Sequence, residues 1–137
     1  MLLSRFLLGF LSRALLKEIY AAVAGGQRRL AAMGIRALLE QVMILKVGDI
    51  GGFDKKLDGF QDKGFISLVQ RDAMRTTLDL GDAAMHRAFA PEWDDLNTAL
   101  DIAEGVMAAI YGHPPASAKL GDRVPQRKLL LQKKRGS

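Results

Sequence analysis

The sequence predicts an all-α protein: an antiparallel four-helix-type bundle with one short additional helix and a mobile, basic C-terminal tail. Three observations carry that expectation. Apolar residues recur at three- and four-residue spacing along almost the whole chain, no stretch alternates β-branched and polar residues as a half-buried strand does, and glycine or proline clusters cut the pattern into segments with short connections. At 137 residues and 49% hydrophobic, the chain has room for one core that buries about two-thirds of its unfolded surface.

The first helix is expected to reach about Ala24 and to stop at Gly25-Gly26, since glycine accepts left-handed backbone angles at no steric cost. Its start, Met1 to Leu11, imitates a leader or an anchor, and Ala22-Val23-Ala24 imitates a cleavage site. Arg13, Lys17 and Glu18 argue against both, and the longest uncharged stretch, Phe6 to Ser12, is far below the ~18–20 residues that span a bilayer. An amphipathic helix that packs on the bundle or on a dimer partner is expected instead, with no membrane span and a cytoplasmic location. A second helix, from about Gln27 to Lys46, shows a narrow charged stripe of Arg29, Arg36 and Glu40. Leu30, Met33, Ile35, Leu38, Leu39, Val42, Met43 and Leu45 cover most of its remainder, so it should be the buried centre.

Gly48 to Gly52 breaks the chain, and Phe53 to Gln61 forms a short helix with Phe53, Leu57 and Phe60 on one side, ended by Gly64. Ser67 with Gln70 has capping-box form, which starts the third long helix near Leu68 and carries it to Arg87, with irregularity expected at Gly81. Pro91 suits the first position of the fourth helix. Glu92, Asp94 and Asp95 favour its positive end, and Leu96, Leu100, Ala103, Met107 and Ile110 form its core stripe. Gly112-His113-Pro114-Pro115 should end it, with irregular chain beyond except around Leu129 to Leu131. The domain reading is therefore a helical body, 1–115, and a basic, disordered tail, 116–137.

The net charge of +5 belongs to that tail. From His113 onward seven basic residues face Asp122 alone, a local charge of +6, while the body is at −1. Arg123, Arg127, Lys128, Lys133, Lys134 and Arg135 are the candidate nucleic-acid contacts, with RNA or DNA held through salt-dependent phosphate contacts. A solvated terminus is the plainer reading, and Gly136-Ser137 has the look of a cloning remnant.

The absence of cysteine excludes disulfides, thiol nucleophiles and Cys-ligated zinc. Asp82 and His86 are the one compact helical pair of metal-ligand type, with no third ligand defined, so no metal is expected. Gly48 to Lys56 is rich in glycine but lacks the glycine-lysine-hydroxyl order of a phosphate loop, and no serine sits in a nucleophile elbow. No cofactor is expected. Met33, Met43, Met74, Met85 and Met107 read as bundle core, and Trp93 as a partly buried anchor of the last helix.

The run Arg29 to Glu40, Phe53 to Leu57, Lys63 to Ser67, the sequence Gly81-Asp82-Ala83-Ala84-Met85-His86-Arg87 and Asp94 to Leu96 resemble the bacterial family called domain of unknown function 4145, over about Leu15 to Pro115. The resemblance implies kinship with HEPN helical domains of toxins, defence systems and restriction-associated proteins, whose fold often dimerises and some of whose members cut RNA without metal. The implied motif is an Arg, then Asn, Asp or His, three residues, and His. Here Asp82 and His86 take the acidic and histidine places, and Gly81 stands where the arginine belongs.

In metal-free RNA cleavage a neutral imidazole moves the proton, and a guanidinium stabilises the charge of the phosphorane-like transition state. Asp82 can orient His86 but cannot supply that charge. Arg75 lies eleven residues upstream, about 16 Å along a helix, and Arg87 projects about 100° away around it. His86, Asp82 and Arg87 are thus the candidate catalytic residues, with a partner-chain arginine as a substitute. The structural readings are Asp82 as a local cap, His86 as a hydrogen-bonded residue at a helix interface, and Arg87 as a surface or dimer contact. The expectation is a non-catalytic interaction module that forms a homodimer or docks on a protein partner in a bacterial stress or defence context. A metal-independent ribonuclease and tail-mediated nucleic-acid binding are the alternatives.

Overall fold

The computed structural model describes residues 2–125, with side chains from residue 9 onward. The described residues are all-α, most of them helical, with no strand. They contain α1 (Leu2–Ala24), α2 (Arg28–Val47), α3 (Phe53–Asp62), α4 (Leu68–His86), α5 (Trp93–Met107), a π-helical turn (Ala108–Gly112) and α6 (His113–Arg123). Two compact units divide between Val106 and Met107.

In the first unit α2 is the central element, packed by α1, α3 and α4. Seven of its side chains, Ala31, Ala32, Ile35, Leu38, Leu39, Val42 and Met43, are buried. Ile19 of α1, Leu57 and Phe60 of α3, Met74 and Leu78 of α4, and Leu96, Ala99, Ala103 and Val106 of α5 are further buried apolar side chains of the core. The close approach of α1 rests on Gly34, where a β-carbon would stand 2.8 Å from Ile19 Cγ1.

Two Schellman motifs close helices. At the end of α1 the Gln27 N–H donates to the Ala22 carbonyl (2.8 Å) and the Gly26 N–H to Val23 (3.1 Å), with Gly26 at φ +74°. At the end of α3 the Phe65 N–H donates to Phe60 (3.1 Å) and the Gly64 N–H to Gln61 (2.9 Å). The Phe60 and Phe65 rings meet at 5.3 Å, which supplies the apolar contact that accompanies this motif. Gly64 at φ +79° should therefore resist replacement: Gly64→Ala is expected to cost about 1–2 kcal/mol in urea unfolding, because a β-carbon is strained there although it would touch nothing. The capping box at α4 forms as the sequence predicts, with the Gln70 N–H donating to Ser67 Oγ (3.1 Å) and the Ser67 N–H to Gln70 Oε1 (2.8 Å).

Several expectations are corrected. Helix α4 runs through Gly81 unbroken, because the glycine is buried in a helix crossing rather than placed at a bend. Pro91 is not the first residue of α5: it precedes the helix, is buried, and its carbonyl accepts from Arg28 Nη1 at 3.0 Å. The buried α5 stripe is Leu96, Ala99, Ala103 and Val106, one residue out of register at two positions from the expected one. The prolines do not end helical structure. The His113 N–H donates to Ala108 across the π turn, and Pro114 and Pro115 fall in the first turn of α6, where no N–H is needed for the intrahelical ladder. Leu30 is 57% exposed rather than core, Met85 and Trp93 are exposed, and among the five methionines named above Met43 and Met74 are buried. The piece expected around Leu129 to Leu131 lies outside the described residues.

Candidate functional site

Helix α4 sets Asp82 and His86 one turn apart, as the sequence predicts, and α2 delivers the feature that decides their environment. Gly81 has no β-carbon, and an added one would stand 2.4 Å from Arg36 Cβ and 2.9 Å from the Ala32 carbonyl oxygen. Helix α2 thus crosses α4 in contact at this glycine, and Arg36 meets Asp82 with Nε to Oδ1 at 2.8 Å. Both atoms are shut off from solvent, and each is the other's ionic partner. Arg36 Nη1 also lies 3.4 Å from Glu40 Oε2, and the guanidinium sits 4.6 Å over the Phe53 ring.

The chain of alternating charge continues. Glu40 Oε1 accepts from Lys56 Nζ at 3.2 Å, and Lys56 Nζ reaches Asp49 Oδ1 at 3.3 Å. Lys56 is buried, which by itself lowers its pKa. Its hydrogen bonds to Glu40 and Asp49 and their two negative charges outweigh that, so the net displacement is upward. Asp82, Arg36, Glu40, Lys56 and Asp49 therefore tie α4, α2, α3 and the loop before α3 into one network.

His86 faces water, its side chain 67% exposed, with Nε2 3.9 Å from Asp82 Oδ1. That is beyond hydrogen-bond distance, so the expectation of a hydrogen-bonded histidine at a helix interface is not met. Asp82 caps nothing; it lies within α4 and is held by Arg36. Arg87 caps α4 through its backbone and its side chain is exposed. Arg75 pairs with Asp54 of α3, and Arg71 with Asp58, so the other arginines of α4 are committed to the α3 side. Chemically, the arrangement offers one solvent-facing imidazole beside an exposed guanidinium, while the arginine nearest Asp82 is neutralised and stacked.

The residues that sequence reading passed over are cations with a structural task. Beyond Arg36 and Lys56, Arg29 Nε donates to the Ala88 carbonyl at 2.9 Å and Arg28 to that of Pro91, with the Arg28 guanidinium 5.6 Å from the centre of the Trp93 ring. Together they clamp the α4–α5 connection, in which Ala88 adopts φ +52°. The available signal was the Gly81 anomaly within a regular helical pattern, which marks a close crossing.

Outside the core α2 carries a second apolar stripe. Leu30 and Ile44 are exposed, Met33 is half-buried, and Ala37 lies between them. One groove of about 500 Å³ is lined by Leu15 of α1 with Ala37, Glu40, Gln41, Ile44 and Leu45; another, of about 430 Å³, contains Leu30, Met33 and Ala90. The Gln41 Oε1 atom is buried without a hydrogen-bond partner.

Among the described residues no cluster of three His, Asp or Glu is arranged to hold a metal ion, and no helix is long and apolar enough to cross a membrane. Of the six candidate tail contacts Arg123 is described, exposed at the end of α6, and Arg127, Lys128, Lys133, Lys134 and Arg135 lie outside the described residues. No curated protein and no solved structure matches the chain. A family model described as Domain of unknown function (DUF4145) matches residues 17–133, past the Pro115 at which the motif resemblance ends, so the chain belongs to that family.

Proposed function

We propose that the chain is a HEPN-like, non-catalytic protein-interaction module that forms a homodimer, at work in the cytoplasm in a bacterial stress or defence setting. The observation that carries this reading is the second apolar stripe of α2, Leu30, Met33, Ala37 and Ile44, left outside the core beside Leu15. Neutralisation of Arg36 supports its non-catalytic part, because a guanidinium held by Asp82 and Glu40 and stacked on Phe53 is not free to meet a phosphate.

Light scattering at tens of micromolar tests the dimer. The full chain should show twice its 15.0 kDa mass, and the double variant Leu30→Glu/Ile44→Glu, at two exposed positions, should revert to the monomer with unchanged helicity. A monomeric parent chain would overturn the reading.

The exposure of His86 keeps a second reading in view, a metal-independent ribonuclease using His86, Asp82 and Arg87. Cleavage of a mixed single-stranded RNA pool in EDTA separates the two. The expected result is no activity, or the same trace activity in the parent chain, His86→Ala and Arg87→Ala. Cleavage lost in His86→Ala would establish the ribonuclease instead.

A further inference from the structure

The α4–α5 side presents a different surface. A groove of about 400 Å³ lies between these helices, lined by Thr76, Thr77, Asp79 and Leu80 of α4 and Asp95, Thr98, Ala99 and Ile102 of α5. Three threonines make this lining look polar in sequence, yet each hydroxyl proton is already engaged. Thr76 donates to the Asp72 carbonyl (3.2 Å), Thr77 to Ala73 (2.9 Å) and Thr98 to Asp94 (2.9 Å), each one turn back along its own helix. With its hydroxyl turned back to the backbone, each threonine leaves its methyl group for other contacts. Together with Leu80, Ala99 and Ile102 they give the groove an apolar lining.

The charges of the groove are of one sign. Asp79 and Asp95 are both exposed, and among the described residues neither has an ion pair or a hydrogen bond. The carboxylates of the Arg36–Lys56 network, and Asp54 and Asp58 of α3, are by contrast all paired. Helix α5 adds Asp94, Asp101 and Glu104 and contains no Lys or Arg. Glu104 takes the Tyr20 hydroxyl, which with burial raises the tyrosine pKa, and the aspartates remain. An apolar trough bordered by two unpaired aspartates, Asp79 on α4 and Asp95 on α5, a helix whose charged residues are all acidic, complements a ligand with aliphatic side chains between cationic ones.

We propose that this groove is a docking site for a segment of a partner protein in which two or three aliphatic residues are flanked by lysine or arginine. About one helical turn of α4 and two of α5 line it, so it has space for the anchoring side chains of such a segment rather than for a whole helix. Asp79 and Asp95 meet the flanking cations, whose methylene stems lie along the apolar walls. This surface is separate from the α2 stripe, and its test does not depend on the dimer.

The test is fluorescence anisotropy of the full chain with a labelled peptide, Lys-Lys-Leu-Leu-Ile-Gln-Lys-Arg, and with a control in which serine replaces the three aliphatic residues. Saturable binding of the first peptide is expected. It should weaken at least ~10-fold with Asp79→Asn/Asp95→Asn, checked for unchanged helicity, and at least ~10-fold with the serine peptide. Equal binding of both peptides would reduce the effect to charge attraction and overturn the proposal, as would an affinity indifferent to Asp79→Asn/Asp95→Asn or an absence of saturable binding. Binding that appears only when Lys133, Lys134 and Arg135 are all changed to glutamine in the full chain would also overturn this partner, and would assign the groove to a basic segment of the same sequence.

Discussion

Gly81→Ala should destabilise the fold by about 2–4 kcal/mol, although the same exchange inside an ordinary helix stabilises by about 1 kcal/mol. The reversal follows from the crossing of α2 and α4. The new methyl carbon would stand 2.4 Å from Arg36 Cβ and 2.9 Å from the Ala32 carbonyl oxygen. Neither neighbour is the far end of a flexible side chain, so the two helices must separate. That brings the strain of an overpacked core, about 1–3 kcal/mol, together with loosening of the Arg36–Asp82 pair. Gly105→Ala is the internal control: it also lies within a helix, but its added methyl would meet nothing within 4 Å, and the variant should be as stable as the parent chain or up to about 1 kcal/mol more so. Urea unfolding of the three proteins decides the matter, and a Gly81→Ala chain no less stable than its parent would refute the crossing.

The same geometry bears on chemistry. Glycine stands where the resemblance calls for an arginine, and the structure gives a packing reason: any side chain at residue 81 collides with α2 at Arg36. Gly81→Arg is therefore expected to prevent folding rather than to create a nuclease. An arginine does lie against Asp82, but α2 supplies it, and it is already held by two carboxylates and an aromatic face.

Much of the bundle was legible because helix boundaries are local signals. The Ser67–Gln70 box, the Gly25-Gly26 stop and the Gly64 stop each announce themselves within a few residues, and the helices next to them begin or end within one residue of expectation. Long-range matters were not legible. A charged stripe of Arg29, Arg36 and Glu40 looks like a solvated face, and nothing in its spacing says that Arg36 meets Asp82, 46 positions later, or that Lys56 is buried against Glu40. The place of Leu30 outside the core was hidden for the same reason: α2 is apolar on two faces, and only its neighbours decide which face is covered. Pro114 and Pro115 misled in a different way, since proline that ends one helix also suits the first turn of the next.

The buried lysine supplies the other large effect. Lys56→Met keeps the aliphatic stem and deletes the ammonium group, and should cost about 2–3 kcal/mol at neutral pH. That is below the full ~3–5 kcal/mol for stranding one partner of a buried pair, because Glu40 keeps Arg36 and Asp49 faces water. Lys56→Met/Glu40→Gln, which also removes the stranded carboxylate's charge, should recover part of the loss. The pH dependence has a defined sign. The pKa of Lys56 in the folded chain is raised above its ordinary 10.5, so the folded state holds the proton more tightly than the unfolded one. The stabilisation from this group is then fully present below about pH 10 and is lost as pH rises through the raised folded value. The stability gap between the parent chain and Lys56→Met, read from urea midpoints, should stay constant from pH 7 to about pH 9.5 and narrow above about pH 10.5. A gap that widens instead as pH rises from about 8 to 10 would mean that burial dominates and lowers the lysine pKa, and the network from Asp82 to Asp49 would then lack the charge that links α2 to α3.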